Sequence, residues 1–188
     1  MNIIAFTGKK QTGKSTCCAY LEEKYGFTRV NFKDALIAEL KENFPELLQA
    51  IYNAEQELYS YPAESIDGLF VNKSPLIRPL MQNYGTNVRR KDKDSYWVDE
   101  WVKTLWEKGS DTKTTVDDVR FLNEASRVKG QGGIIIRLIR TDMEHTDTHV
   151  SETEMDLIIP DFTIVCNGND HEHLYAELDR IYKIICAK

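Results

Sequence analysis

Gly8-Lys9-Lys10-Gln11-Thr12-Gly13-Lys14-Ser15 satisfies the pattern G-x-x-x-x-G-K-[ST], directly after a short apolar run and at the opening of a helical pattern. Each residue type has a chemical reason to stand there. The glycines let the backbone turn its amides toward an anion, and the N-terminus of the helix adds a favourable dipole. Lys14 supplies a point charge for the β- and γ-phosphates of a nucleoside triphosphate, and Ser15 offers a hydroxyl to Mg²⁺. The motif implies a triphosphate site without saying what is done with the triphosphate. A switch GTPase needs Asn-Lys-x-Asp, but the only Asn-Lys is Asn72-Lys73-Ser74-Pro75, and no Asp-x-x-Gly occurs. A motor or transporter core would be longer and would carry further signatures. A small kinase is left in front.

A small kinase also needs an acceptor site, cations to neutralise the transferring phosphoryl group and a lid that excludes water. Asp117-Asp118-Val119-Arg120-Phe121-Leu122-Asn123-Glu124 follows an apolar run and puts two carboxylates where a strand should end. Asp117 is placed to join Ser15 at Mg²⁺; the alternative is that the two aspartates cap the following helix. Arg78 and Gln82 stand four apart, so on a helix a charge and an amide share one face. Arg89 and Trp97 follow, able to grip a phosphate and to stack on a base. Trp101 and Trp106 read by default as core or interface residues. Arg137 and Arg140 leave an apolar strand for a charged loop that reaches His149-Val150-Ser151-Glu152, where two arginines could clamp phosphates as the loop closes. Ser151 with Glu154 also fits a helix capping box. His145, His149, His171 and His173 lack supporting metal-ligand geometry and read as solvated loop histidines.

These groups need a scaffold, and the patterning supplies one. Strands are predicted at 2–7, 27–32, 114–119, 133–139 and 162–166, and helices at about 14–25, 34–43, 121–129 and 172–185. Gly26 stands where a left-handed cap would end the first helix. Strand alternating with helix argues for an α/β fold, a parallel five-stranded sheet wrapped by helices, whose ligands sit at the carboxyl ends of the strands. Residues 46–108 read as a helical insertion punctuated by Pro62, Pro75 and Pro79, and 137–154 as a lid loop, within one domain spanning 1–188.

Composition narrows the partners. The 188 residues carry 24 Lys and Arg against 30 Asp and Glu, a net charge of −6 that disfavours binding to a nucleic-acid backbone. No apolar stretch approaches the ~20 residues needed to span a bilayer, and the start, MNIIAFTG, reads as a strand rather than a secretory signal. Cys17, Cys18, Cys166 and Cys186 match neither a zinc site nor a disulfide framework, so a cytoplasmic location with idle thiols is expected.

Taken in order, Gly8 to Thr16, Gln82-x-x-Gly85-Thr86 with Arg89, Asp118-x-Arg120 with Glu124, His149-x-Ser151-Glu152 and Asn167-Gly168 resemble the bacteriophage deoxynucleoside monophosphate kinases. The resemblance covers most of the chain and is weak over 46–74. It implies an adenylate-kinase-like P-loop fold and transfer of the ATP γ-phosphoryl group to a deoxynucleoside monophosphate, giving the diphosphate and ADP. Carried over residue by residue, it implies that Gly8, Lys9, Gln11, Thr12, Gly13, Lys14, Ser15, Thr16, Arg140 and Asn167 serve ATP. It implies an acceptor site of Arg78, Gln82, Gly85, Thr86, Arg89, Trp97, Asp118, Arg120 and Glu124, with Thr12, Ser15 and Thr16 nearby. Lys14, Asp118, Arg120, Arg137 and Arg140 would act in catalysis, with Ser15 and Asp117 on Mg²⁺. The family suggests a homodimer, and a host-cytoplasmic location if the gene is viral. Two other readings stay open: a different P-loop kinase such as dephospho-coenzyme A kinase, and a non-catalytic nucleotide-binding regulator.

Overall fold

The computed structural model describes residues 3–60, 62–71, 74–143, 153–168 and 170–187. Two compact units emerge. One runs to Asn31 and resumes at Val102, and the other is Phe32–Trp101.

The first unit is built on five parallel strands, β1 (Ile3–Thr7), β2 (Thr28–Arg29), β3 (Thr114–Val116), β4 (Ile134–Arg140) and β5 (Phe162–Cys166), in the order β2-β3-β1-β4-β5. All five residues of β1 are buried, which fits a central strand covered on both faces. Its register sets Ile4 beside Thr115 and Ile134, and Thr7 beside Arg137. The chain moves to one side of β1 through β2 and to the other through β4, so strand order reverses at β1. A ligand crevice belongs at its carboxyl end.

Helices α1 (Lys14–Tyr25), α7 (Leu122–Gly130) and α8 (His171–Cys186) belong to this unit. Gly26 closes α1 at φ 70°, its amide donating to the carbonyls of Leu21 and Glu22. Cys17, Cys18 and Leu21 of α1, Ile4 and Phe6 of β1, Ile136 and Leu138 of β4 and Leu174, Leu178 and Ile181 of α8 form one core.

Several elements differ from the sequence expectation. The second strand shrinks from 27–32 to Thr28–Arg29, because Phe32, Leu36 and Leu40 supply the buried stripe of α2 (Phe32–Asn43). Asp34 therefore sits inside the first turn of α2 instead of capping it. The third strand ends at Val116, and Asp117 leads the chain off the sheet.

The second unit is helical: α2, α3 (Pro45–Leu58), α4 (Ile66–Val71), α5 (Ile77–Gln82), a wide i→i+5 turn at Asn83–Arg90, and the start of α6 (Tyr96–Lys108). It begins at Phe32, ahead of the 46 expected for the insertion, since Leu36 and Leu40 share a core with Leu48, Leu69, Ile77, Tyr84 and Trp97. Pro79 falls in the first turn of α5, where a missing amide costs no helical hydrogen bond. Trp101 is 1% exposed and packs on Phe32, whereas Trp106, expected in a core or interface, is 70% exposed.

Candidate active site

The loop after β1 closes on its own lysine. Gly8 has φ 139°, and a Cβ there would lie 2.4 Å from the Leu138 carbonyl oxygen, so only glycine lets β1 leave the sheet beside β4. Gly13, at φ 94°, hands the chain to α1, while Gln11 holds φ 63° without being glycine. Lys14 is buried, and its Nζ donates to the carbonyls of Gly8 at 2.6 Å and Lys9 at 2.5 Å, with Thr12 Oγ1 at 3.4 Å. Thr12 Oγ1 in turn donates to the Lys9 carbonyl at 2.9 Å. The positive charge thus sits inside the ring of the loop at a helix start, an arrangement that attracts phosphate oxygens.

Beside it, Ser15 Oγ donates to Asp117 Oδ2 at 2.8 Å. Asp117 is 4% exposed at the end of β3, next to β1 in the sheet, and its backbone amide donates to Asn31 Oδ1 at 2.9 Å. The two oxygens are hard donors and fit a small divalent cation. The same Oδ2 lies 3.3 Å from Arg29 Nη1, and Arg29 also pairs with Glu22 and reaches the Ser15 carbonyl. Burial presses the Arg29 guanidinium toward losing its proton, but its bonds and charges with Glu22 and Asp117 win and raise its pKa. Neither Arg29 nor Asn31 was expected at the site. Both come from β2 and the residues just after it, where the pattern carried no motif.

The helix after β3 starts behind Phe121, three residues beyond Asp118, and Glu124 closes its first turn: its Oε2 accepts from the amides of Arg120 at 2.8 Å and Phe121 at 3.1 Å, and Glu124 is buried. Glu154 Oε1 accepts from the Leu122 amide at 2.9 Å, so that carboxylate serves α7; the capping box expected of Ser151 with Glu154 involves Ser151, which lies outside the described residues. Asp118 and Arg120 are half-buried on the turn between β3 and α7.

The two arginines of β4 have different partners. Arg137, expected in the phosphate clamp, donates from Nη2 to the carbonyls of Met155 at 2.8 Å and Ile158 at 2.6 Å, and ties down the turn Glu154–Leu157. Arg140 reaches the phosphate loop, its Nη1 donating to the Gln11 carbonyl at 3.1 Å. Asp142 holds Arg140 through both carboxylate oxygens, at 3.1 and 2.7 Å. That guanidinium, followed by the Gly168 amide, keeps the Asp142 carboxyl far below the usual carboxylate range. Asn167, after β5, therefore stands beside a turn that Asp142 links to Arg140. Lys9 Nζ pairs with Asp156 at 2.6 Å. Residues 144–152, with His145, His149, Ser151 and Glu152, lie outside the described residues.

The second unit carries its own cluster. Arg78 and Gln82 fall on one face of α5, and neither side chain has a partner among the described residues. Thr86 lies in the wide turn. Trp97, expected to stack on a base, is 4% exposed in the core of this unit and donates from Nε1 to the Gly85 carbonyl at 3.0 Å. Arg89 pairs through Nη2 with Glu39 Oε2 at 2.8 Å. Glu39 was not foreseen, because nothing in the sequence connects a helix acid to an arginine 50 positions away.

A buried cation inside a glycine loop, flanked by two hard oxygens at the carboxyl edge of a parallel sheet, places this chain among the P-loop phosphotransferases. A family model described as deoxynucleotide monophosphate kinase matches residues 40–178. A protein of Acanthamoeba polyphaga mimivirus that carries the provisional name deoxynucleotide monophosphate kinase is 28% identical over 189 residues, covering 95% of this chain and 94% of its own. The deoxynucleotide monophosphate kinase of Escherichia phage RB69 is 29% identical over 116 residues, covering 60% of this chain and 47% of its own. Among solved structures, TT1252 from Thermus thermophilus has a TM-score of 0.49 at 17% identity over 99% of this chain and 96% of its own. The dephospho-CoA kinase from Campylobacter jejuni has a TM-score of 0.48 at 16% identity over 98% and 96%. The chain belongs to the deoxynucleotide monophosphate kinase family, phosphotransferases whose acceptors are nucleoside monophosphates. No helix among the described residues is long and apolar enough to cross a membrane.

Proposed function

We propose that ATP with Mg²⁺ is the phosphoryl donor, that the loop Gly8–Gly13 with Lys14, Ser15 and Thr16 holds its phosphates, and that a deoxynucleoside monophosphate is the acceptor. The observation that carries the reading is the Ser15–Asp117 hydrogen bond beside the lysine-filled loop, in a chain of this family. Ser15 and Asp117 would hold the cation, which when bound offsets the negative charge of the phosphates.

The remaining work falls to the chain's own side chains. The acceptor's phosphate oxygen attacks the γ-phosphorus in line, and that oxygen is largely ionised at neutral pH, so the protein supplies position and charge rather than a base. Lys14 meets the β- and γ-oxygens. Arg140, already bonded to the Gln11 carbonyl, meets phosphate oxygens from the side of β4, while Asn167 approaches the base of ATP. The resemblance assigns Asp118 and Arg120, in the turn after β3, and Arg78, Gln82, Gly85, Thr86 and Arg89, in the helical unit, to the acceptor; within that unit Trp97 fixes Gly85. Arg137, assigned by the resemblance to the lid and phosphate clamp, donates to the Met155 and Ile158 carbonyls just beyond the 137–154 lid segment. The net charge of −6 supports free nucleotides rather than nucleic acid as partners. A homodimer in the cytoplasm, the host's for a viral gene, belongs to the same reading; sedimentation would test the dimer.

The test is to mix the protein with ATP and Mg²⁺ and each deoxy- or ribonucleoside monophosphate in turn, with dephospho-coenzyme A as a control, and to follow ADP. Diphosphate formed from one or more deoxynucleotides supports the reading and gives the base preference. ADP only with dephospho-coenzyme A means a sugar-hydroxyl acceptor instead. Tight ATP binding without turnover of any acceptor means a regulator.

A further inference from the structure

One carboxylate in the helical unit gathers an unusual number of donors. Glu39, on α2, receives Tyr84 Oη at 2.9 Å and Arg89 Nε at 2.8 Å on Oε2, and Tyr96 Oη on Oε1. Arg89 Nη2 reaches the same Oε2 at 2.8 Å. Both tyrosine rings also lie close to the guanidinium, with centroids 5.4 and 5.1 Å from Arg89 Cζ. The Nε and Nη2 atoms of Arg89 are therefore committed, and its Nη1 has no partner among the described residues. The arginine side chain is 33% exposed and Glu39 only 18%.

An exposed ion pair made for stability alone needs none of this, and such pairs contribute little. Two phenols and a carboxylate gathered around one guanidinium instead pre-orient a donor for a ligand with several acceptor oxygens, such as a phosphate. The cluster also adjoins other groups assigned to the acceptor. Tyr84 precedes Gly85, and Tyr96 precedes Trp97, whose indole holds the Gly85 carbonyl. We propose that Glu39 is a positioning residue for the acceptor, holding the Arg89 guanidinium so that its remaining Nη1 hydrogens bind the phosphate of the nucleoside monophosphate. The inference rests on the assignment of residues 78–97 to acceptor binding. Tyr84 and Tyr96 complete the brace.

A double-mutant cycle separates this role from a structural one. Glu39→Gln keeps the shape and removes the charge, Arg89→Ala removes the donor, and both are combined; Tyr96→Phe serves as a milder probe should Glu39→Gln fold poorly. The expected result is a rise of about tenfold in KM for the deoxynucleoside monophosphate in Glu39→Gln, with kcat and ATP affinity nearly unchanged. The rise should disappear in the Arg89→Ala background, because the carboxylate acts only through that arginine. Tyr96→Phe should raise the same KM by a smaller factor. An acceptor KM that does not move, or an equal effect of Glu39→Gln with and without Arg89, overturns the proposal while leaving the kinase assignment standing. A wild-type protein that turns over no nucleoside monophosphate overturns both.

Discussion

At the scale of single residues, the side chains proposed to act on phosphate differ in their partners from those that hold the scaffold. Lys14 lies in the loop's ring, its ammonium donating to the carbonyls of Gly8 and Lys9. Lys14→Ala is therefore expected to lower turnover by about 10³-fold while the melting temperature stays close to that of the parent. Arg120→Ala should likewise abolish turnover and leave the fold intact; near-parental rates in either variant would remove that residue from the mechanism. Arg137 stands on the other side of the division. Its Nη2 donates to the carbonyls of Met155 and Ile158, so Arg137→Ala should cost about 1–3 kcal/mol in denaturant unfolding, and unchanged stability would mean that these bonds do not hold the turn. The sequence shows two arginines three apart at a strand end and nothing more. Their different partners depend on the turn Glu154–Leu157, which no local pattern ties to β4.

Elements were legible where one periodicity decided the outcome and illegible where two competed. Helix α1 begins at Lys14 and ends at Tyr25, ahead of its Gly26 cap, and β5 has the expected bounds. The apolar residues after Phe27 were ambiguous, because the same run feeds a two-residue strand and then the buried stripe of α2. The wide turn at Asn83–Arg90 has no sequence signature, since an i→i+5 ladder uses the same residues as an α-helix. The phosphate loop was legible because its chemistry and geometry lie within one short segment. The Glu39 brace was not, because three elements build it. The junction of β1 with the loop gives a prediction at this scale. Gly8→Ala should destabilise the protein by about 1–3 kcal/mol, measured by urea unfolding, since its Cβ would press on the Leu138 carbonyl and φ 139° is unfavourable for alanine. Stability equal to the parent's would mean that the loop can leave the sheet by another path.

For the whole molecule, the direction of its shifted side-chain pKa values sets a pH window of stability. Glu39 in the helical unit and Asp179 in the sheet unit are each pushed up by burial, but their phenol and cation partners win and hold both below their ordinary values. Glu177 is held down by Arg180. A carboxyl whose folded pKa is depressed adds stability above its unfolded pKa and loses it as pH falls through the folded value, so this contribution should fade below about pH 4. The thiols and phenols act in the opposite sense. Burial raises Cys17 strongly and takes Cys18 to about 12, while the Glu39 hydrogen bond takes Tyr96 to about 12. An acid whose folded pKa is raised contributes fully below its unfolded pKa, and that part is lost as pH climbs from about 8.5, the ordinary thiol value, toward the folded one. The melting temperature should therefore be nearly flat from about pH 5 to 8 and fall on both sides. Cys17→Ser with Cys18→Ser should flatten the alkaline limb and leave the acid limb in place. Only Cys186 is exposed, so a thiol reagent at neutral pH should modify one cysteine per folded chain and all four after unfolding. Rapid labelling of Cys17 or Cys18 in the folded protein would mean that α1 opens away from the sheet, and the alkaline limb would then report that opening rather than thiol ionisation.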